Sequence, residues 1–127
     1  MINLNNKGQS LVMFILIIPI LLLMFIIVID VGNALSIKQE LDNVNFLTID
    51  YSLDNLNDNN LESKLINMIN DNIEVNLIDV FVDDNKVKIT IKKNVSGTIA
   101  KNLKILEIKS SYEGYIKSNK KIIGKVW

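Results

Sequence analysis

Leu11-Val12-Met13-Phe14-Ile15-Leu16-Ile17-Ile18-Pro19-Ile20-Leu21-Leu22-Leu23-Met24-Phe25-Ile26-Ile27-Val28-Ile29 is a run of nineteen residues with no charge and no polar side chain beyond methionine sulfur. As a helix it covers about 28 Å, close to the roughly 30 Å hydrocarbon core of a bilayer. Sixteen of its residues are Leu, Ile, Val or Phe, each favouring insertion by roughly 0.3–0.6 kcal/mol at the helix centre. Summed, that is on the order of 5–10 kcal/mol, an upper estimate because end positions count for less. The segment is expected to enter a membrane.

Outward from this run, the chain changes character on both sides. Ahead of it stands a short polar leader ending in Lys7-Gly8-Gln9-Ser10. Within it, Pro19 lacks the N–H that a helix interior uses, so a kink is expected there. Neighbouring groups in a membrane can satisfy the freed carbonyl. Behind it, Asp30-Val31-Gly32-Asn33 marks the boundary, and residues 32–127 suffice for one small domain.

Composition excludes several functions for that domain. The chain has no cysteine, no histidine and no arginine. No disulfide framework or thiol chemistry is available, and the commonest general base, zinc ligand and bidentate phosphate clamp are missing. The chain is not expected to be an enzyme, and no cofactor or metal is expected. Between Asp54 and Asn60 no frame offers the oxygen ligands, central glycine and terminal glutamate of a calcium loop.

The net charge is zero, yet the charges are sorted. From Asp30 to Asp84 twelve acids face only Lys38 and Lys64, a net of −10. From Asn85 to Trp127 eleven lysines face Glu107 and Glu113, a net of +9. Two arrangements fit: the halves pair within one domain, or the acidic face of one subunit meets the basic face of another. Nucleic-acid binding fits poorly, because arginine is absent and few aromatics interleave with the lysines.

Periodicity sets out the elements. Ala34, Ile37, Leu41, Val44, Thr48 and Tyr51 fall at helical steps, with Lys38, Gln39, Glu40, Asp42 and Asn43 on the other face. One long helix is expected from near Gln9 to about Leu53, apolar in its first half and amphipathic in its second. Gly32 could hinge it. Asp54–Asn60 reads as a turn. Asn59 and Glu62 then suggest a capping pair for a second helix reaching about Asn72.

From Val75 the period shortens to two. Ile78, Val80 and Val82 alternate with Asp79, Phe81 and Asp83, and Val87, Ile89 and Ile91 with Lys88, Thr90 and Lys92. Asp83–Lys86 is the intervening turn. A loop through Ser96-Gly97-Thr98 leads to a strand from Leu106 to about Lys117, with Gly114 as a bulge. Ser118-Asn119-Lys120 turns into a last strand, Ile122 to Val126. The fold class is therefore α+β: a transmembrane helix continuing into an amphipathic one, a second short helix and a small antiparallel sheet.

A short polar leader, a glycine and one apolar helix form the layout of type IV pilin-like precursors. Gly8-Gln9-Ser10-Leu11-Val12-Met13-Phe14, Ile18-Pro19-Ile20-Leu21-Leu22 and Ile29-Asp30-Val31-Gly32-Asn33-Ala34-Leu35 resemble more particularly the TadE-like family. Its members are minor pilins, or pseudopilins, of bacterial tight-adherence (Tad/Flp) pilus systems. The resemblance is specific over about residues 7–50. It implies that residues 1–8 are a leader recognised by a prepilin peptidase at Lys7, Gly8 and Gln9, leaving Gln9 as the mature N-terminus. It also implies a pilin-like segment containing Met13, Phe14 and Pro19. The fifth mature position is normally glutamate; here it is Met13, and Asn33 stands where the family usually has arginine.

The expected protein is a single-pass cell-membrane component with a helix over 9–31 and an extracytoplasmic domain over 32–127. Its expected partners are the bilayer, a prepilin peptidase, and other pilin-like subunits or Tad assembly proteins. The alternative is a membrane-anchored binding domain unrelated to pili. A secreted product is disfavoured, because nineteen apolar residues exceed the roughly 7–15 of a signal-peptide core.

Overall fold

A computed structural model of the chain describes residues 2–96 and 105–126, with side chains described for 7–95 and 107–126. Two helices, α1 (Ile2–Asp54) and α2 (Leu61–Asn72), precede four strands: β1 (Leu77–Val82), β2 (Lys86–Ser96), β3 (Ile105–Lys117) and β4 (Lys120–Lys125). The strands form one antiparallel meander in the order β1-β2-β3-β4. Both helices lie on one face of the sheet. The α+β class expected from the sequence is the class observed.

The apolar period-two positions face the helices. Val87, Ile89, Ile91 and Ile108 from the sheet meet Leu41, Ile49 and Leu53 of α1 and Leu61, Leu65, Ile69 and Ile73 of and just after α2. The opposite sheet face is uncovered, leaving Leu77, Phe81, Tyr115 and Ile122 exposed. Only the second half of α1 takes part in this core. Leu11–Asn33 projects beyond it, with no fully buried residue.

Several local expectations need correction. α1 is a single helix of 53 residues that begins at Ile2 rather than near Gln9, so it runs through the polar leader. It is also unbroken at Gly32, where no hinge interrupts it. The N-cap of α2 is Asn60, not Asn59, and its side chain makes no capping bond. Asp58 acts instead: its Oδ1 accepts the Asn60 N–H at 3.0 Å, and its carboxylate pairs with Lys64. β1 begins at Leu77, two residues after the alternation starts. Ser96 belongs to β2, while Gly97 and Thr98 of the expected loop lie outside the described residues.

The expected bulge at Gly114 is absent. Pairing of β2 with β3 runs in continuous register from Lys86↔Tyr115 to Ser96↔Ile105, through Val87↔Gly114. The glycine answers to packing rather than to strand geometry. A β-carbon there would overlap Ile49 Cγ2 and lie 3.0 Å from Leu53 Cδ1. Its absence lets α1 settle onto β3.

The turn between β3 and β4 is tight. Lys117 pairs with Lys120, and Ser118 and Asn119 adopt φ of 53° and 62°. Two consecutive left-handed residues closing a two-residue hairpin match the twist of the flanking strands.

Candidate membrane and assembly interface

Two surfaces of α1 divide the functional question: a bare apolar stretch, and a polar seam that holds the domain to it. In the bare stretch, Met13 and Phe14 are 60% and 67% exposed, and Phe25, Val28 and Ile29 are similarly open. The helix is long and apolar enough to cross a membrane, and none of its most apolar window is buried in the fold. In water this surface would be a severe aggregation liability.

The residues singled out from the sequence all lie on this helix. Lys7, Gly8, Gln9, Met13, Phe14 and Pro19 are exposed within α1. Lys7, Ser10, Leu11 and Phe14 share one face, lining a shallow depression. A β-carbon at Gly8 would meet nothing within 4 Å. Packing therefore gives no reason for glycine there, although it weakens a helix by about 1 kcal/mol relative to alanine. Pro19 leaves the Ile15 carbonyl without its usual helical donor, yet the helix continues across it.

The seam begins where the domain starts. Asn45 is fully buried, and its Nδ2 donates to the carbonyls of Ile89 at 3.0 Å and Ser110 at 3.2 Å. Those two acceptors fix the amide's orientation, since an oxygen cannot face them. Ser110 Oγ donates to Asp42 Oδ1 at 2.6 Å. Asp42 also pairs with Lys38 at 3.4 Å and Lys125 at 3.6 Å, while Lys38 Nζ donates to the Lys109 carbonyl. Thr48 and Ser52 bond back to carbonyls of their own helix, Val44 at 2.6 Å and Ile49 at 2.7 Å. They thereby remain small and satisfied where α1 meets the core.

This seam corrects the face drawn from sequence. Lys38 and Asp42 turn toward the sheet, not away from it, and Tyr51 stays 37% exposed rather than buried. The buried line runs Leu41, Asn45, Thr48, Ile49, Ser52. Asn45 and Ser52 escaped notice because a hydrophobicity pattern scores them as polar. The signal available was their helical spacing from Leu41, Ile49 and Thr48.

The sorted charges meet within the chain. Lys121 of β4 bonds Asp50 and Asp54 of α1, both at 2.9 Å, so the acidic helix end is clamped to the basic edge strand. Asp54 first and Asp50 second raise the Lys121 pKa above the usual 10.5. Likewise the Lys64 ammonium, then the Asn60 N–H, lowers the Asp58 carboxyl below the usual 3.8. Among the described residues no group of three or more His, Cys, Asp or Glu side chains could hold a metal ion.

A bare apolar helix that continues into a packed amphipathic one is the geometry over which comparison with known families becomes informative. The family model described as TadE-like protein matches residues 8–44. Over this segment the chain is similar to TadE-like proteins. The match begins at Gly8, covers the whole apolar run and ends beside Asn45, where the seam forms. It spans under a third of the chain, and the sheet lies beyond it. No curated protein and no solved structure matches the chain.

Proposed function

We propose that the protein is an accessory pilin-like component of a Tad/Flp-type pilus or a related secretion apparatus, non-enzymatic and anchored in the cell membrane by α1. The observation that carries this reading is the TadE-like match over a helix whose apolar half has no partner within the fold. In this reading residues 1–8 are a leader, 9–31 span the bilayer, and 32–127 form an extracytoplasmic domain. Lys7 precedes the span and Asp30 follows it, which favours a cytoplasmic N-terminus.

Gly8 is the proposed cleavage point. Its side-chain position opens to solvent, so a peptidase can require glycine there without the fold doing so. Met13 supplies no carboxylate for pairing with a neighbour's N-terminal amine. It also avoids the several kcal/mol that an unpaired charge costs in a bilayer. Contacts with neighbouring subunits then fall to the apolar helix surface and the domain. Met13 equally favours a second reading, a membrane-anchored binding domain outside any pilus.

Co-expression with a Tad-type prepilin peptidase tests the proposal. The expected product begins at Gln9, and Gly8→Phe blocks its formation. An intact leader, under conditions where a control prepilin is cut, favours the second reading. Protease added outside spheroplasts should digest the 32–127 domain; full protection reverses the orientation.

A further inference from the structure

α1 and β3 run side by side in the same direction. Lys38 reaches the Lys109 carbonyl, Asp42 and Asn45 meet Ser110, and Ile49 and Leu53 lie over Gly114. The start of β3 therefore points back along the bare half of the helix. From Lys109 to Ile105 the strand descends four residues, about 13 Å. From Lys38 to Asp30 the helix descends eight residues, about 12 Å. Ile105 and its partner Ser96 thus stand level with Asp30, the first charge beyond the apolar run.

The rest of the sheet stops short of this level. β1 begins with Leu77 opposite Lys92, and β4 ends with Lys125 opposite Tyr112. Among the described strands only the paired ends of β2 and β3 project further. At the base of that projection Lys92 and Lys109 sit on the uncovered face with Glu107, whose carboxylate is 3.8 Å from Lys92, and Lys93 sits on the helix face beside Ile108. Lys109 is exposed, and Lys92 and Lys93 are half-buried, a placement that suits stems lying along the strands with ammonium groups directed outward.

We propose that the projecting end of β2 and β3 rests on the headgroup layer of the membrane and engages anionic phospholipid phosphates through Lys92, Lys93 and Lys109. The inference rests on the reading of residues 11–29 as a bilayer span. It adds a second membrane contact, which fixes the domain's tilt about the helix and leaves the uncovered sheet face directed sideways. Juxtamembrane lysines gain from the negative surface potential of anionic lipid, and the gain falls off within a Debye length. Lys92 and Lys109 stand about 13 Å above the level of Asp30, and their flexible stems, directed down the strands, bring the ammonium groups within a Debye length of the phosphates.

Because the chain has no cysteine, single cysteines can report depth without background. Nitroxide labels would be placed at Leu22→Cys, Asn94→Cys and Asn119→Cys in the full chain. The chain would be reconstituted into phosphatidylcholine vesicles with and without phosphatidylglycerol. Collision with oxygen and with a water-soluble nickel chelate gives the depth of each label. With phosphatidylglycerol, the Asn94 label should collide with the chelate about threefold less than the Asn119 label. Most of that protection should vanish without phosphatidylglycerol, and in the triple variant Lys92→Glu, Lys93→Glu, Lys109→Glu.

An Asn94 label as open to the chelate as the Asn119 label, with Leu22 buried in lipid, overturns the proposal. Protection indifferent to both lipid charge and the lysines overturns the phosphate contact. A water-exposed Leu22 label removes the span itself, and the inference falls with it for that separate reason.

Discussion

Gly114 lies so close beneath Ile49 that a β-carbon at the glycine would overlap Ile49 Cγ2. The residue at 114 therefore sets the distance between α1 and β3, and with it the alignment of the helix on the sheet. Gly114→Ala should destabilise the domain by about 1–3 kcal/mol, the usual range for forcing an extra group into a packed core. Ile49→Ala alone should also destabilise, by about 2–5 kcal/mol. The double variant should cost less than the sum of the two, because the shortened residue 49 makes room for the new methyl. Urea unfolding of the detergent-solubilised chain measures all three; strict additivity would show that the two residues do not compete for space.

Asn45 makes a second prediction. Asn45→Leu keeps a similar volume but removes the donor from two sheet carbonyls at a fully buried site. Both carbonyls also lie in the β2–β3 ladder, so the loss is of additional bonds and should cost about 0.5–1.5 kcal/mol. Asn45→Asp should be worse, since a carboxylate would face the Ile89 and Ser110 carbonyls and sit near Asp42. If Asn45→Leu unfolds at the same urea concentration as the parent, the seam is incidental to stability.

These two residues also mark where sequence reading stopped. The apolar run, the change from helical to period-two spacing and the hairpin at Asp83–Lys86 were legible, because each rests on a local pattern of side-chain polarity. Gly114 was legible only as an anomaly. Its meaning depends on Ile49 and Leu53, more than sixty residues away in the chain, so a bulge was the reasonable local reading. Tyr51 took a buried place in the sequence pattern that Asn45 and Ser52 hold in the fold. The sorted charges announced a pairing, but whether it closed within one chain required the position of β4. The TadE-like resemblance was readable because the stretch that carries it is contiguous.

The β3–β4 turn gives a third prediction. Ser118 and Asn119 both hold φ above 50°, and a residue with a β-carbon pays roughly 1–2 kcal/mol in that region. Ser118→Asn with Asn119→Gly creates the Asn-Gly pair that this hairpin geometry favours. After allowing for the greater freedom of glycine in the unfolded chain, a gain of about 0.5–1 kcal/mol is expected. A raised urea midpoint with unchanged slope would confirm it. A lowered midpoint would mean that the Ser118 or Asn119 side chain contributes more than its strain removes.

The last prediction concerns pH, and its sign follows from two directions of shift. The Lys121 pKa is raised by Asp54 and Asp50. Its contribution is therefore fully present below 10.5, the usual lysine value, and is lost as pH rises through the higher folded value. Asp58 is lowered by Lys64 and the Asn60 N–H. Its contribution is present above 3.8, the usual aspartate value, and is lost as pH falls through the lower folded value. Stability of the domain should be nearly level through neutral pH and should decline at both extremes. Lys121→Met keeps the stem of the side chain and removes the charge, so it should lower the neutral plateau and flatten the alkaline decline while leaving the acid side intact. Because Lys121 is solvent-accessible, added salt should narrow the difference between parent and variant at neutral pH. An alkaline decline of unchanged steepness in the variant would place the responsible lysine elsewhere. Lys64, whose pKa is raised by Asp58, is the next to test, since it joins the start of α2 to the turn rather than α1 to β4.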